Sequence, residues 1–220
     1  MANMPHIHAT QQILYNSHIR SVRSTLAIED IPLTLEQVID IIDNQYVPCT
    51  QSEIRAAKNA YEAYNLLDIY NPPDPYSTVY MLHFHRVFMA GLAKEVGCFR
   101  IGTAPSANLM LRHLNNLIEW VNLSDEHILI KSCVFHYEFM CIQPFSAGNG
   151  LVARLWQVLL LYKWRMPMGL PLASAVCNRQ QEYFDILTIS NKATGSTKFI
   201  EFMLQAIKDA AVEYDREIAK

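Results

Sequence analysis

The sequence has no apolar run approaching the roughly 18 residues that a membrane-spanning helix needs. Val158 to Tyr162 is a short core stretch, so a membrane role is not expected. Basic residues are not in excess: 18 Lys and Arg stand against 21 Asp and Glu. Composition therefore gives no reason to expect nucleic acid as the main partner. The five cysteines are an odd number with no C-x-x-C spacing. They read as buried small hydrophobes of a reducing compartment, with the cytoplasm as default. Met1-Ala2-Asn3-Met4-Pro5-His6 lacks the positive cap and apolar stretch of a secretory signal. Internal repeats, low-complexity tracts and linkers are also lacking. A chain of 220 residues then reads as one domain, 1–220.

What is there is helical periodicity, and the expected class is all-α. Ile19, Val22 and Leu26 recur at helical spacing, as do Val38, Ile41 and Ile42. Thr34 with Gln37, and Thr50 with Glu53, are capping-box pairs that start helices near residues 35 and 51. Asn71-Pro72-Pro73-Asp74-Pro75 is a loop, because consecutive prolines remove donors and bar a helix. Periodicity resumes at about Thr78 and fades at Gly97. Leu109, Leu114, Leu117 and Trp120 mark a further helix. Next come helices over 125–142 and from Gly148-Asn149-Gly150 to Trp164, then over 172–189 and 197–215.

The Gly148-Asn149-Gly150 break opens a helix. Glycines permit positive φ, and the first amides of a helix have no internal partner. With the helix dipole, those amides form an anion site. Arg154, about one turn in, has a fork suited to a second phosphate. By itself, such a Gly-x-Gly is more often a tight connection than a phosphate cradle.

The wider context is more specific. Phe135-His136-Tyr137-Glu138-Phe139, then Ile142-Gln143-Pro144-Phe145, then Gly148-Asn149-Gly150 and Arg154 resemble the signature of the Fic (Fido) family, His-Pro-Phe-x-Asp/Glu-Gly-Asn-Gly-Arg/Lys-x-x-Arg. Leu82-His83-Phe84-His85-Arg86 with Gly97-Cys98-Phe99-Arg100 resembles the helix and turn before that family's flap. Asn178-Arg179-Gln180-Gln181-Glu182-Tyr183-Phe184 with Phe199-Ile200-Glu201-Phe202 resembles its C-terminal helices. The resemblance implies a Fic-type helical domain whose motif lies on a central helix-loop-helix, 125–164. It implies AMP transfer from ATP to a hydroxyl of a target protein. In that scheme the histidine is the general base, the acidic residue holds Mg²⁺, the Gly-Asn-Gly amides bind phosphate and the two arginines contact the outer phosphates.

Three positions depart from the pattern. Gln143 stands where the histidine belongs, and an amide takes up no proton near neutral pH; general-base catalysis is worth about 10² to 10⁴ in rate. Ala147 stands at the metal-ligand position, so no metal site is expected. Leu151 replaces the first arginine. Upstream, only Ile101-Gly102-Thr103-Ala104 separates Arg100 from Pro105, too little for the two strands of a target-binding β-hairpin flap. A shortened or absent flap is expected.

Gly148, Asn149, Gly150 and Arg154 are kept as phosphate-binding candidates. Thr25-Leu26-Ala27-Ile28-Glu29 resembles the Ser/Thr-x-x-x-Glu-Gly/Asn inhibitory motif of self-blocking members, with Asp30 in place of Gly or Asn. By that analogy, residues 1–30 form an inhibitory-type helix and Glu29 pairs with Arg154. The plainer reading of Glu29 is a surface helix cap. His83 and His85 are two apart on a helix, one expected in the core and one on the surface. His136 is expected to be a packed, hydrogen-bonded histidine. Tyr61, Tyr64, Tyr70, Tyr76 and Tyr80 are expected to pack rather than to stack on bases. His6 and His8 are expected in a frayed terminus, and around Ser146 no Ser/His/Asp arrangement is legible. The reading that results is a catalytically inactive pseudoenzyme. It needs no certain cofactor, keeps at most weak ATP or phosphate affinity with little dependence on Mg²⁺, and works through a protein partner. A weak or altered transferase and a purely structural interaction domain are the alternatives.

Overall fold

The structure, a computed structural model, describes residues 4–69, 72–100, 107–192 and 195–219. Its elements are α1 Met4–Ile28, α2 Leu35–Ile42, α3 Gln51–Ile69, α4 Thr78–Met89, α5 Ala107–Leu123, α6 Ile128–Ile142, α7 Asn149–Lys163, α8 Leu172–Cys177, α9 Gln180–Lys192 and α10 Thr197–Ile218. Among the described residues there is no strand, and the fold is all-α. Residues 101–106, where the flap is expected to be cut short, lie outside the described residues, as does Tyr70; α5 follows directly, from Ala107.

α6 and α7 pack side by side and divide the core in two. Phe135 and Phe139 of α6, with Val152, Leu155, Trp156 and Leu159 of α7, face a cluster built with α1 to α5. Cys133 and Tyr137, with Val158 and Leu161, face a second cluster built with α8 to α10. α7 is buried on every side from Gly150 to Leu161, and its two polar members there, Arg154 and Gln157, are hydrogen-bonded inside the protein.

Both expected capping boxes are present. Thr34 N–H donates to Gln37 Oε1 at 2.8 Å, and Gln37 N–H returns to Thr34 Oγ1 at 3.2 Å. Thr50 and Glu53 make the same exchange at 2.7 and 3.2 Å. α1 ends in a Schellman motif: Ile31 N–H donates to Leu26 O at 3.0 Å and Asp30 N–H to Ala27 O at 3.2 Å. Asp30 is the left-handed residue of that motif, with φ 60°, which is why glycine or asparagine suits the position.

Several boundaries differ from the sequence reading. α4 stops at Met89 rather than near Gly97, since Ala90 turns to ψ 116° and Gly91 to φ 68°. Asn59 takes the freed Phe88 and Ala90 carbonyls, each at 2.9 Å. α6 starts at Ile128, capped by His127, not at 125. The helix expected over 172–189 is two, broken at Asn178-Arg179, and α10 runs on to Ile218. α1 reaches back to Met4, so His6 and His8 lie on a helix. Of the cysteines only Cys133 is buried; Cys49 and Cys177 are half-buried, and Cys98 and Cys141 are exposed, one on a turn and one at the end of α6. None is in a disulfide.

Candidate functional site

The loop between α6 and α7 is held from four directions. Gln143 ends α6 in the left-handed region, φ 46° and ψ 65°, and its side chain is exposed. Arg100 braces the same point: its Nε donates to Gln143 O at 2.6 Å, and its backbone N–H to Pro144 O at 2.9 Å. Asn149 closes the loop on itself. Its side-chain amide donates to Phe145 O at 2.9 Å and accepts from Phe145 N–H at 3.0 Å. Those two bonds fix the direction of the Asn149 amide and use one of its two N–H donors and one of its two acceptor lone pairs. From α4, the His85 ring lies flat on Phe145, with centroids 3.7 Å apart and planes 4° apart. Gly148, at φ 76°, caps α7; a Cβ there would be strained and would strike the Met89 side chain.

Behind the loop lies a buried polar network. Arg154 is 1% exposed. Its Nε donates to Thr25 Oγ1 at 2.8 Å, and its Nη2 donates to Thr25 O at 3.2 Å and Glu29 Oε1 at 2.6 Å. Thr25 in the last turn of α1 and Glu29 at its C-terminal cap are four residues apart, so both reach the same guanidinium. Burial by itself would push Arg154 down, but the Glu29 carboxylate, together with the Tyr183 and Tyr64 phenols, outweighs it and holds the guanidinium above the ordinary arginine range. Burial pushes the neighbouring Tyr64 and Tyr183 phenols up to about 12, so both stay neutral. Tyr183 Oη lies 3.0 Å from His136 Nε2, and His136 Nδ1 lies 2.6 Å from Gln157 Oε1. Burial pushes His136 down to about 3, which removes it as a base near neutral pH.

The Glu29 carboxylate sits over the first turn of α7. A Cβ at Gly150 would collide with Glu29 Oε1 and come within 2.9 Å of Arg154 Nη1. The missing side chain of Gly150 thus makes the space that the carboxylate fills. A carboxylate at the positive end of a helix, on a buried arginine, occupies the place suited to an anion. Glu29 is itself only partly buried, its side chain being 32% exposed. It is also the C-terminal cap of α1, where a negative charge is disfavoured unless a cation answers it.

Gln143, Ser146 and Ala147 are exposed, on the solvent side of the loop, and Leu151 is buried in the first core cluster. Magnesium does not fit these residues. The ligand position offers a methyl group, and the Ala147 carbonyl lies 3.0 Å from His85 Nε2. Among the described residues, no three of His, Cys, Asp or Glu gather in a metal-holding group. A groove of about 540 Å³ lined by Leu66, Pro73, Tyr80, Leu82 and Arg86 contains no residue of the loop.

The model of the Fic/DOC family matches residues 75–161, which include α4, α6, the loop and most of α7. A solved Fic family protein from Desulfovibrio desulfuricans G20 is similar over all of this chain and 70% of its own, at 32% identity and a TM-score of 0.89. The chain belongs to the Fic/DOC family. A solved structure of Fic-1 from C. elegans shares the fold, with a TM-score of 0.81 at 20% identity over 99% of this chain and 67% of that one. In sequence, the protein adenylyltransferase fic-1 of Caenorhabditis elegans is 25% identical over 208 residues, 86% of this chain. The Caenorhabditis briggsae protein of the same name is 24% identical over 209. The chain spans 40% of the length of these two curated relatives.

Within this Fic domain the structure brings Thr25, Glu29, Gly150 and Arg154 together and leaves Gln143 and Ala147 apart on the solvent side. His83 is exposed and His85 is buried, as their spacing implies. Tyr64 is buried, Tyr61 and Tyr76 half-buried and Tyr80 exposed. Sequence reasoning missed the loop-holding parts of His85, Arg100 and Asn149, and that of Tyr183 behind Arg154. The Asn149 contact had a signal, the four-residue spacing from Phe145 across a turn. The others join residues more than 40 apart along the chain to the loop or its backing.

Proposed function

We propose that this Fic domain is a cytoplasmic pseudoenzyme: it transfers no AMP, keeps a weak phosphate site closed by Glu29, and acts by binding another protein. The observation that carries the reading is the pairing of an exposed amide at the base position with a methyl group at the metal position. The amide cannot deprotonate a hydroxyl near neutral pH, and the methyl group cannot hold Mg²⁺. Leu151 adds to this, since an apolar side chain in the core replaces a charge clamp on the leaving phosphates. Cysteines without a disulfide support a reducing compartment. No helix is long and apolar enough to cross a membrane among the described residues.

A weak or altered transferase is favoured by one observation: Glu29 pairs with Arg154 as a blocking residue would. Labelled ATP separates the two readings. Wild type, Glu29→Gly, and Glu29→Gly carrying Gln143→His, Ala147→Glu and Leu151→Arg are each incubated with it and with Mg²⁺. Self-labelling and labelling of a cell extract are then read. The pseudoenzyme transfers nothing in the first two, and the restored variant gains label. Label transferred by Glu29→Gly alone would overturn the reading.

A further inference from the structure

His85 is buried on α4 and makes two bonds of opposite sense. Its Nδ1 accepts the Gly97 N–H at 3.0 Å, so that nitrogen carries no proton. Its Nε2 therefore carries the hydrogen and donates it to Ala147 O at 3.0 Å. The same ring stacks on Phe145, so one side chain grips the loop on both sides of Ser146. One turn on, Met89 fills the space beside Gly148 where a Cβ would be. In a trans peptide the carbonyl and the next N–H point oppositely. Drawing the Ala147 carbonyl onto α4 thus turns the Gly148 N–H away from α4.

We propose that His85 is the positioning residue of the loop: its imidazole sets the Ala147–Gly148 peptide, and with it the aim of the amides at the head of α7, and links that setting to the turn at Gly97–Arg100. The proposal rests on the reading of the loop as a phosphate cradle. A purely packing role would ask only for a flat ring, and phenylalanine would serve. The two polar bonds require an imidazole with one bare and one protonated nitrogen. Burial, by pushing the His85 pKa down, favours that form. The turn is coupled in turn to the far end of the loop through Arg100, which holds the Gln143 and Pro144 carbonyls.

Two substitutions separate the contacts. His85→Phe keeps the stack and loses both bonds; His85→Gln keeps a donor for Ala147 and loses the ring. Both are made in Glu29→Gly, and amide hydrogen exchange of residues 145–150 is followed without ligand, alongside pyrophosphate titration. Exchange is expected to quicken about tenfold in His85→Phe, the loss of roughly one buried hydrogen bond. It is expected to recover at least in part in His85→Gln. Unchanged exchange in His85→Phe, or a glutamine no better than phenylalanine, overturns the proposal. If His85→Phe does not fold, nitrogen NMR of the Glu29→Gly protein decides: a proton on Nδ1 overturns the assignment, and a proton on Nε2 alone upholds it. Pyrophosphate binding that weakens in step with the exchange supports both readings. If Glu29→Gly binds no pyrophosphate, the cradle reading fails, and the exchange comparison still decides the part played by His85.

Discussion

The two faces of the Fic loop have fared differently. On the inner face, Phe145, Asn149, Gly150 and Arg154 match the family signature, and each is bound into the fold. Phe145 is stacked by His85, Asn149 grips Phe145, Gly150 admits Glu29, and Arg154 binds Thr25 and Glu29. On the outer face, Gln143 and Ala147 depart from the signature, and their side chains meet solvent. The matching residues are those held within the fold, and the two departures on this face are at positions open to solvent. The inner face is therefore accounted for by the fold, whether or not a nucleotide binds. Leu151 is the exception, departing from the signature although it is buried in the first core cluster.

Substitutions can test this contrast, beginning at the inner face. Arg154→Ala should cost most, about 3 kcal/mol in urea unfolding, because it empties the buried space of the guanidinium and removes its bonds to Thr25 and Glu29. A loss below about 1 kcal/mol would mean that the inner face is not structural. Behind Arg154, acid should undo the network through His136. The unfolded chain binds that proton near pH 6.5, whereas the folded protein resists it to about 3. Between those values the unfolded state holds more protons, so stability falls as pH falls, by about 1.4 kcal/mol per unit. At pH 5 the loss is about 2 kcal/mol relative to pH 7, and His136→Gln should flatten that slope in a pH series of melts.

Gly150→Ala sharpens the comparison through its sign. Inside an ordinary helix, alanine in place of glycine stabilises by about 1 kcal/mol. Here the added methyl group meets the Glu29 carboxylate, so a loss of roughly 1 to 2 kcal/mol is expected. In Glu29→Gly that loss should at least halve, which a double-mutant cycle reads directly. At the outer face, Gln143→His and Ala147→Glu should each change stability by less than about 0.5 kcal/mol. A larger effect there would erase the distinction between the two faces.

The family and the run of helices could be read from the sequence, because capping boxes and glycine breaks are local. Thr34 with Gln37, Thr50 with Glu53 and Gly148 before Asn149 each mark a helix end within a few residues. The end of α4 could not be read so, because the apolar pattern continues past Met89 while Asn59, on α3, binds the carbonyls that end it. At the break at Asn178-Arg179, Arg179 pairs with Glu182 and lies 4.6 Å over the Phe202 ring on α10, a contact between distant segments. In the site, the spacing of Thr25 and Glu29 put both on one face of α1, and the family pattern named Arg154 as their partner. The His85 and Tyr183 contacts depend on how α4 and α9 pack against the loop and α6, which periodicity does not encode.

Calorimetric titration with ATP tests most directly the proposed anion site at the head of α7, closed by Glu29. Wild type should give no heat at millimolar nucleotide. Glu29→Gly should bind in about the millimolar range, equally with and without Mg²⁺. Binding that requires Mg²⁺ would contradict the loss of the metal position, and no heat in Glu29→Gly would contradict the closed phosphate site.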